Sequence, residues 1–155
     1  MEAALESDSP QATERAARAV GKLLRPGDVV LIAGDVGTGK TTWVRAACDA
    51  LGVRDPVTSP SFTIGQVYFG PVCVSHVDLF RLEDLGGEDP ALLADYLTPD
   101  RVTFIEWPGA GRGQLEPDRV VLDLEMSHLG GDRRALAARG HGPLVDALRS
   151  ALTLP

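Results

Sequence analysis

Positive charge is in short supply in this 155-residue chain: 15 Lys and Arg face 22 Asp and Glu, for a formal net charge of −7. That balance excludes tight direct binding to nucleic acid, which needs clustered cations to neutralise phosphates. Any role on RNA is expected to pass through a partner protein. Cysteine is nearly absent as well. Cys48 and Cys73 form no spaced pair, which excludes a disulfide framework, and both are expected as reduced core residues. His128 and His141 fall in expected loops and complete no His/Cys metal-ligand pattern. The opening stretch MEAALESDSP is acidic and has no long apolar run, which excludes a signal peptide or membrane span there. The protein is expected in the cytoplasm. Aromatic content is lean at 5%, while the 44% hydrophobic content is ordinary for a globular chain. The length suits one domain, residues 1–155, and is small for an enzyme with separate substrate and lid domains.

What the chain does have is GDVGTGKTT, from Gly34 to Thr42, straight after the apolar run VVLIA. Gly34, Gly39, Lys40 and Thr41 give the spacing G-x-x-x-x-G-K-T of a phosphate-binding loop. Glycines, Gly37 among them, let consecutive backbone N–H groups turn inward around a polyphosphate. The lysine reaches the β and γ phosphates, and the Thr41 hydroxyl ligates Mg²⁺. The following helix aims its positive end at the same anion. A plain strand-to-helix turn would need only one or two glycines and would have no use for a lysine followed by a hydroxyl. The context agrees, because Val29 to Ala33 reads as a buried parallel strand. TTWVRAACDALG reads as a helix stopped by Gly52.

The rest of the chain alternates similarly. SPQATERAARAVGKLLRPG predicts a helix capped by Ser9 with Pro10 at its first position, and an apolar stripe of Ala16, Val20, Leu23 and Leu24. VTSPSFTIGQVYFGPVCVSHVDLFRL has strand composition, with a turn at Phe69 to Pro71 and an expected antiparallel pair. A short helix is expected over Asp89 to Leu97, then the strand RVTFIEW, a loop PGAGRGQLEPD, the strand RVVLDLEM and a closing helix GPLVDALRSAL. This order predicts an α/β fold: a three-layer P-loop NTPase-like domain with a mixed, partly parallel sheet. The loop would lie at the carboxyl end of a strand, where such folds bind ligands.

Hydrolysis or transfer also needs a carboxylate beside Mg²⁺ and a group that positions the nucleophile. Asp78 and Glu106 each end an apolar strand and qualify as metal-side or water-orienting residues, with the division between them left open. TSPSF, Thr58 to Phe62, is a hydroxyl-rich segment suited to a switch that closes on the γ-phosphate. His76 is expected to support Asp78. Trp107 is expected near the nucleotide, a partner or the core edge, and Arg81 near the carboxylates or phosphate. No N-K-x-D occurs, so the guanine-reading element of GTPases is missing and adenine is the expected base.

These pieces together resemble the TsaE (YjeE) family, the ATPase component of bacterial tRNA threonylcarbamoyladenosine synthesis. The resemblance covers nearly the whole chain: QAT near the start, GDVGTGKTTWVRA, VTSPSFTI, HVDLFRL, IEW and a later RR before Gly140. Phe80 stands where that family usually has tyrosine, Ser61 where it has threonine, and Thr38 where it often has alanine. The resemblance implies ATP and Mg²⁺ as cofactors. Gly37, Thr38, Gly39, Lys40, Thr41 and Thr42 would bind nucleotide, with Thr41, Glu106 and Asp78 at the metal. It further implies nucleotide contacts from Pro10 to Thr13 and from an arginine near Arg133 or Arg134, with Arg133 the residue chosen. The implied partner is the TsaD–TsaB pair, which transfers the group to tRNA, so this chain would meet tRNA only indirectly and no membrane. Two other classes fit the loop: a small-molecule kinase, and a nucleotide-switched interaction module with negligible turnover.

Overall fold

The computed structural model describes residues 1–60, 63–82 and 91–154. The expected switch residues Ser61 and Phe62, and the Asp89–Pro90 start of the expected fourth-segment helix, lie outside them. Seven strands are present: β1 (Glu2–Ser7), β2 (Val29–Gly34), β3 (Gly65–Tyr68), β4 (Cys73–Asp78), β5 (Arg101–Glu106), β6 (Val120–Gly130) and β7 (Arg133–Gly140). Four helices accompany them: α1 (Pro10–Gly21), α2 (Lys40–Ala50), α3 (Ala91–Ala94) and α4 (Gly142–Thr153). All strands join one sheet in the order β1-β7-β6-β2-β5-β4-β3. The central four, β6, β2, β5 and β4, run parallel, and β3, β7 and β1 add antiparallel pairs at the edges. The mixed α/β architecture is therefore as the sequence predicts.

The two faces of the sheet are covered unequally. One carries the main core, where Ala16 and Val20 of α1, Trp43 and Ala47 of α2 and Val145 and Leu148 of α4 meet Val30, Ile32, Phe104 and Leu124. Here α1 and α2 cross so closely that a Cβ on Gly21 would lie 2.5 Å from the Ala47 carbonyl oxygen. The other face holds a smaller cluster of Val29, Leu31, Val77, Leu79, Leu93 and Ile105, closed by α3 and by the 3-10 segment Pro108–Gln114. That segment was expected as plain loop; its one proline and three glycines form tight turns instead. Among the described residues no helix is long and apolar enough to cross a membrane.

Helix α1 starts as predicted, with the Ser9 side chain accepting from the Ala12 N–H at 3.1 Å and Pro10 at the first position. It ends sooner than expected. The Leu23 and Leu24 N–H groups bond three residues back, to Val20 and Gly21, and this tightened turn swings Leu23 out to 46% exposure while Leu24 stays buried. Cys48 is buried in α2 and Cys73 is half-buried in β4, both free. Strands β1 and β7 had no counterpart in the sequence reading. Their alanine-rich segments, AALES and ALAARG, carry little strand propensity, and the pairing of β7 with β6 and of β1 with β7 decides their conformation. The β6–β7 hairpin draws His128 out of its expected loop into β6, while His141 stays outside helix and strand, just before α4, with no side-chain capping bond.

Candidate phosphate-binding site

Strand β2 ends at Gly34, and after five intervening residues the chain enters α2 at Lys40. Gly34 has φ 147°, and a Cβ there would lie 2.5 Å from the Met126 carbonyl oxygen of β6 and 2.8 Å from Thr38 Oγ1. Only glycine lets the loop leave the sheet against β6 in this way. Gly37, with φ 82°, turns through the left-handed region. Within the loop, Thr38 donates both its N–H and its hydroxyl to the Asp35 carbonyl, at 3.3 and 2.9 Å. From outside, Arg134 on β7 donates to the Thr38 carbonyl at 3.0 Å and to the Gly37 carbonyl at 3.4 Å.

Lys40 opens α2 and is only 5% exposed. Its ammonium donates to the Gly34 and Asp35 carbonyls, at 2.7 and 2.9 Å, and lies 4.3 Å from the centroid of the Trp107 ring. Burial pulls its pKa below the usual lysine value, against the pull of the Glu106, Asp78 and Asp35 carboxylates. A buried ammonium held by backbone carbonyls beside a turn of helical N–H groups is suited to an anion of high charge.

The carboxylates converge from the neighbouring strands. Asp78 and Glu106 end β4 and β5 and sit level in parallel register. The Thr41 hydroxyl donates to Glu106, 3.0 Å from each carboxylate oxygen. Glu106 Oε2 also lies 2.5 Å from His76 Nε2, and both residues are buried. His76 was expected to support Asp78. It stands two residues earlier on the same strand face, so the parallel register aims it diagonally at Glu106 instead. Asp78 accepts from the Ser59 hydroxyl at 3.0 Å and from the Phe80 N–H at 2.9 Å. Ser59 thus ties the described part of the TSPSF segment to the same place.

Trp107 follows Glu106 with φ 54° and ψ 57°, the one non-glycine residue at positive φ among those described. Its N–H is anchored to the Ile32 carbonyl at 3.1 Å. This turn lays the indole over Lys40 and against Phe80, ring centroids 4.8 Å apart. A cavity of about 350 Å³ is lined by Gly37, Lys40, Thr41, Thr42, Asp78 and Glu106, with Phe80 and Trp107 as its wall. A groove of about 440 Å³ beyond that wall includes Asp35, Arg112 and Glu125. Arg112 there is already held by both oxygens of Asp123. The smaller cavity, with its lysine and hydroxyl, is the candidate site. A hydroxyl and two carboxylates beside a buried ammonium fit Mg²⁺, which takes one or two carboxylates and fills its shell with water and phosphate oxygens.

The family profile described as Threonylcarbamoyl adenosine biosynthesis protein TsaE matches residues 7–136. The chain belongs to the TsaE family. Among curated TsaE relatives, named tRNA threonylcarbamoyladenosine biosynthesis protein TsaE, that of Streptomyces coelicolor is 40% identical over 114 residues, covering 71% of this chain and 76% of that one. The Bacillus subtilis TsaE is 32% identical over 141 residues, covering 90% and 87%. The crystal structure of Bacillus subtilis YdiB superposes with a TM-score of 0.75 at 26% identity, over 99% of this chain and 95% of that one.

Within this TsaE chain the remaining expected contacts separate. Arg133 pairs with the exposed Glu6 at 3.1 Å, so strand alternation gives the Gly34–Thr42 loop to Arg134 and takes Arg133 away from it. Pro10 starts α1, and Thr13 turns its hydroxyl inward to Ser7, at 2.7 Å. Ser7 is the register partner of Arg134, so this corner abuts the loop through that arginine. Arg81 lines a neighbouring groove with Ser59 and Asp78. The pairing of His76 with Glu106 was missed, although a histidine two residues before one strand-end acid, on a strand beside another, is a signal once the strands are placed parallel.

Proposed function

We propose that this TsaE-family chain binds Mg-ATP in the Gly34–Thr42 loop, hydrolyses it slowly, and acts in the cytoplasm on the TsaD–TsaB pair to sustain threonylcarbamoyladenosine modification of tRNA. It meets tRNA only through that pair, in keeping with its net charge of −7. One observation carries the reading: the helix hydroxyl of Thr41 meets the strand-end carboxylate of Glu106 beside the buried Lys40. That is the meeting of loop and acid on which Mg-nucleotide chemistry depends.

Bound Mg-ATP would supply a γ-phosphoryl group with its charge partly neutralised. The N–H groups of Gly37, Thr38, Gly39, Lys40, Thr41 and Thr42 surround its phosphates in this reading. Lys40, now on the Gly34 and Asp35 carbonyls, would bind the phosphate oxygens. Thr41 and Glu106 would hold the cation. Asp78, which among the described residues accepts from the Ser59 hydroxyl and the Phe80 N–H, is the second carboxylate of the site and would orient the attacking water. Trp107 and Phe80 shield that side from bulk solvent.

The test is the threonylcarbamoyladenosine content of bulk tRNA after depletion of the protein, read by nucleoside mass spectrometry. Depletion lowers the modified nucleoside, wild-type protein restores it and Lys40→Ala does not. An unchanged level after depletion refutes the role on tRNA. Asp78→Ala separates hydrolysis from switching, because it leaves Lys40, Thr41 and Glu106 to hold the nucleotide and loses rescue only if turnover is required.

A further inference from the structure

His76 is a buried imidazole with half of its hydrogen bonding unmet. It is 0% exposed, its Nε2 contacts Glu106, and its Nδ1 has no partner among the described residues. A buried polar atom without a partner works against stability, and an aliphatic side chain would fill this position in β4 without that cost. What the imidazole provides is one directed contact. Glu106 is touched from two sides, by Thr41 from α2 and by His76 from β4. The His76 side is fixed by the ladder, since β4 and β5 pair in parallel from Cys73↔Arg101 to Asp78↔Glu106. Tyr68 of β3 flanks the imidazole, ring centroids 6.4 Å apart. The Thr41 hydroxyl, by contrast, can rotate away from the carboxylate toward a cation.

We propose that His76 is a positioning residue for Glu106: its Nε2–H donates to Oε2 and holds the carboxylate facing Thr41 with the geometry a divalent cation requires. The inference rests on the Mg-ATP reading of the site. It is the arrangement by which an outer partner fixes a ligating carboxylate, and removing such partners lowers metal affinity about 10–100-fold. His76 itself touches neither nucleotide nor cation.

Two variants and one spectrum test this on the full chain. In His76→Gln the side-chain amide reaches as far as Nε2 and still donates; in His76→Asn it is one carbon shorter and cannot. A fluorescent ATP analogue is bound under increasing Mg²⁺, with binding in EDTA as the metal-free reference. The Asn variant raises the Mg²⁺ midpoint about tenfold or more while metal-free binding holds, and the Gln variant stays near wild type. A midpoint unchanged in the Asn variant, or raised equally in both, overturns the proposal. Wild-type binding that ignores Mg²⁺ instead overturns the Mg-ATP reading, so the two failures are distinct. In the native protein labelled with ¹⁵N-histidine, the buried ring carries its proton on Nε2; a proton on Nδ1 alone overturns the proposal, and this readout needs no variant to fold.

Discussion

Gly34→Ala and Gly37→Ala put the same methyl group on two glycines of the same loop, and the structure separates their consequences. Both positions have positive φ, 147° and 82°. At Gly37 the nearest atom to a new Cβ is His128 Nε2 at 3.8 Å, so the penalty is conformational only, about 1–2 kcal/mol. At Gly34 the φ lies where essentially only glycine is found, at about 1–3 kcal/mol. The Cβ also meets the Met126 carbonyl oxygen at 2.5 Å and Thr38 Oγ1 at 2.8 Å. The first of these is backbone of β6, the register partner of Gly34 itself, so relief requires moving a sheet strand, for about 1–3 kcal/mol more. The sum, about 2–6 kcal/mol, lowers the melting temperature by about 4–24 °C for a chain of this size, against about 2–8 °C for Gly37→Ala. Thermal unfolding followed by circular dichroism reads both. A Gly34→Ala drop no larger than that of Gly37→Ala would refute the claim that the loop departs from β2 pressed against β6.

Arg134→Ala frees the Gly37 and Thr38 carbonyls and weakens ATP binding by about tenfold, whereas Arg133→Ala removes only an exposed ion pair and leaves affinity unchanged; equilibrium titration with a fluorescent nucleotide distinguishes them. Burial pushes the Cys48 thiol up to about 12, so a thiol reagent near neutral pH modifies the half-buried Cys73 first and Cys48 only after denaturation. Burial also lowers the Lys40 ammonium from 10.5. Between its folded value and 10.5 the unfolded chain binds more protons, so Lys40 makes stability rise with pH through that window. Lys40→Met flattens that rise in melting temperature measured across alkaline buffers.

The strand, tight turn and helix around Gly34–Thr42 were legible because their determinants are local. Three glycines, a lysine and a threonine sit within nine residues after an apolar strand, and no distant contact is needed to read them. Glu106 and Asp78 were legible for a related reason, since each ends an apolar run. Which acid meets Thr41, and which arginine meets the loop, depends on register between distant segments. Arg133 and Arg134 point to opposite faces of β7, and nothing in RR says which faces inward until β7 is paired with β6 and β1. Strands β1 and β7 were themselves hidden by their alanines. The left-handed turn at Trp107, which sets the indole over Lys40, is a tertiary outcome too. The Trp107 N–H is captured by the Ile32 carbonyl from the neighbouring strand, and the sequence IEWPG does not announce it.

The central claim is that Lys40, Thr41 and Glu106 form a Mg-ATP site. Isothermal titration of Mg-ATP into the wild-type chain and into Lys40→Ala measures it directly. The account predicts saturable binding to the wild type and a loss of about 100-fold or more on replacing the lysine, the equivalent of two charge-assisted hydrogen bonds. Equal affinity in the two proteins, or no binding by the wild type, contradicts it.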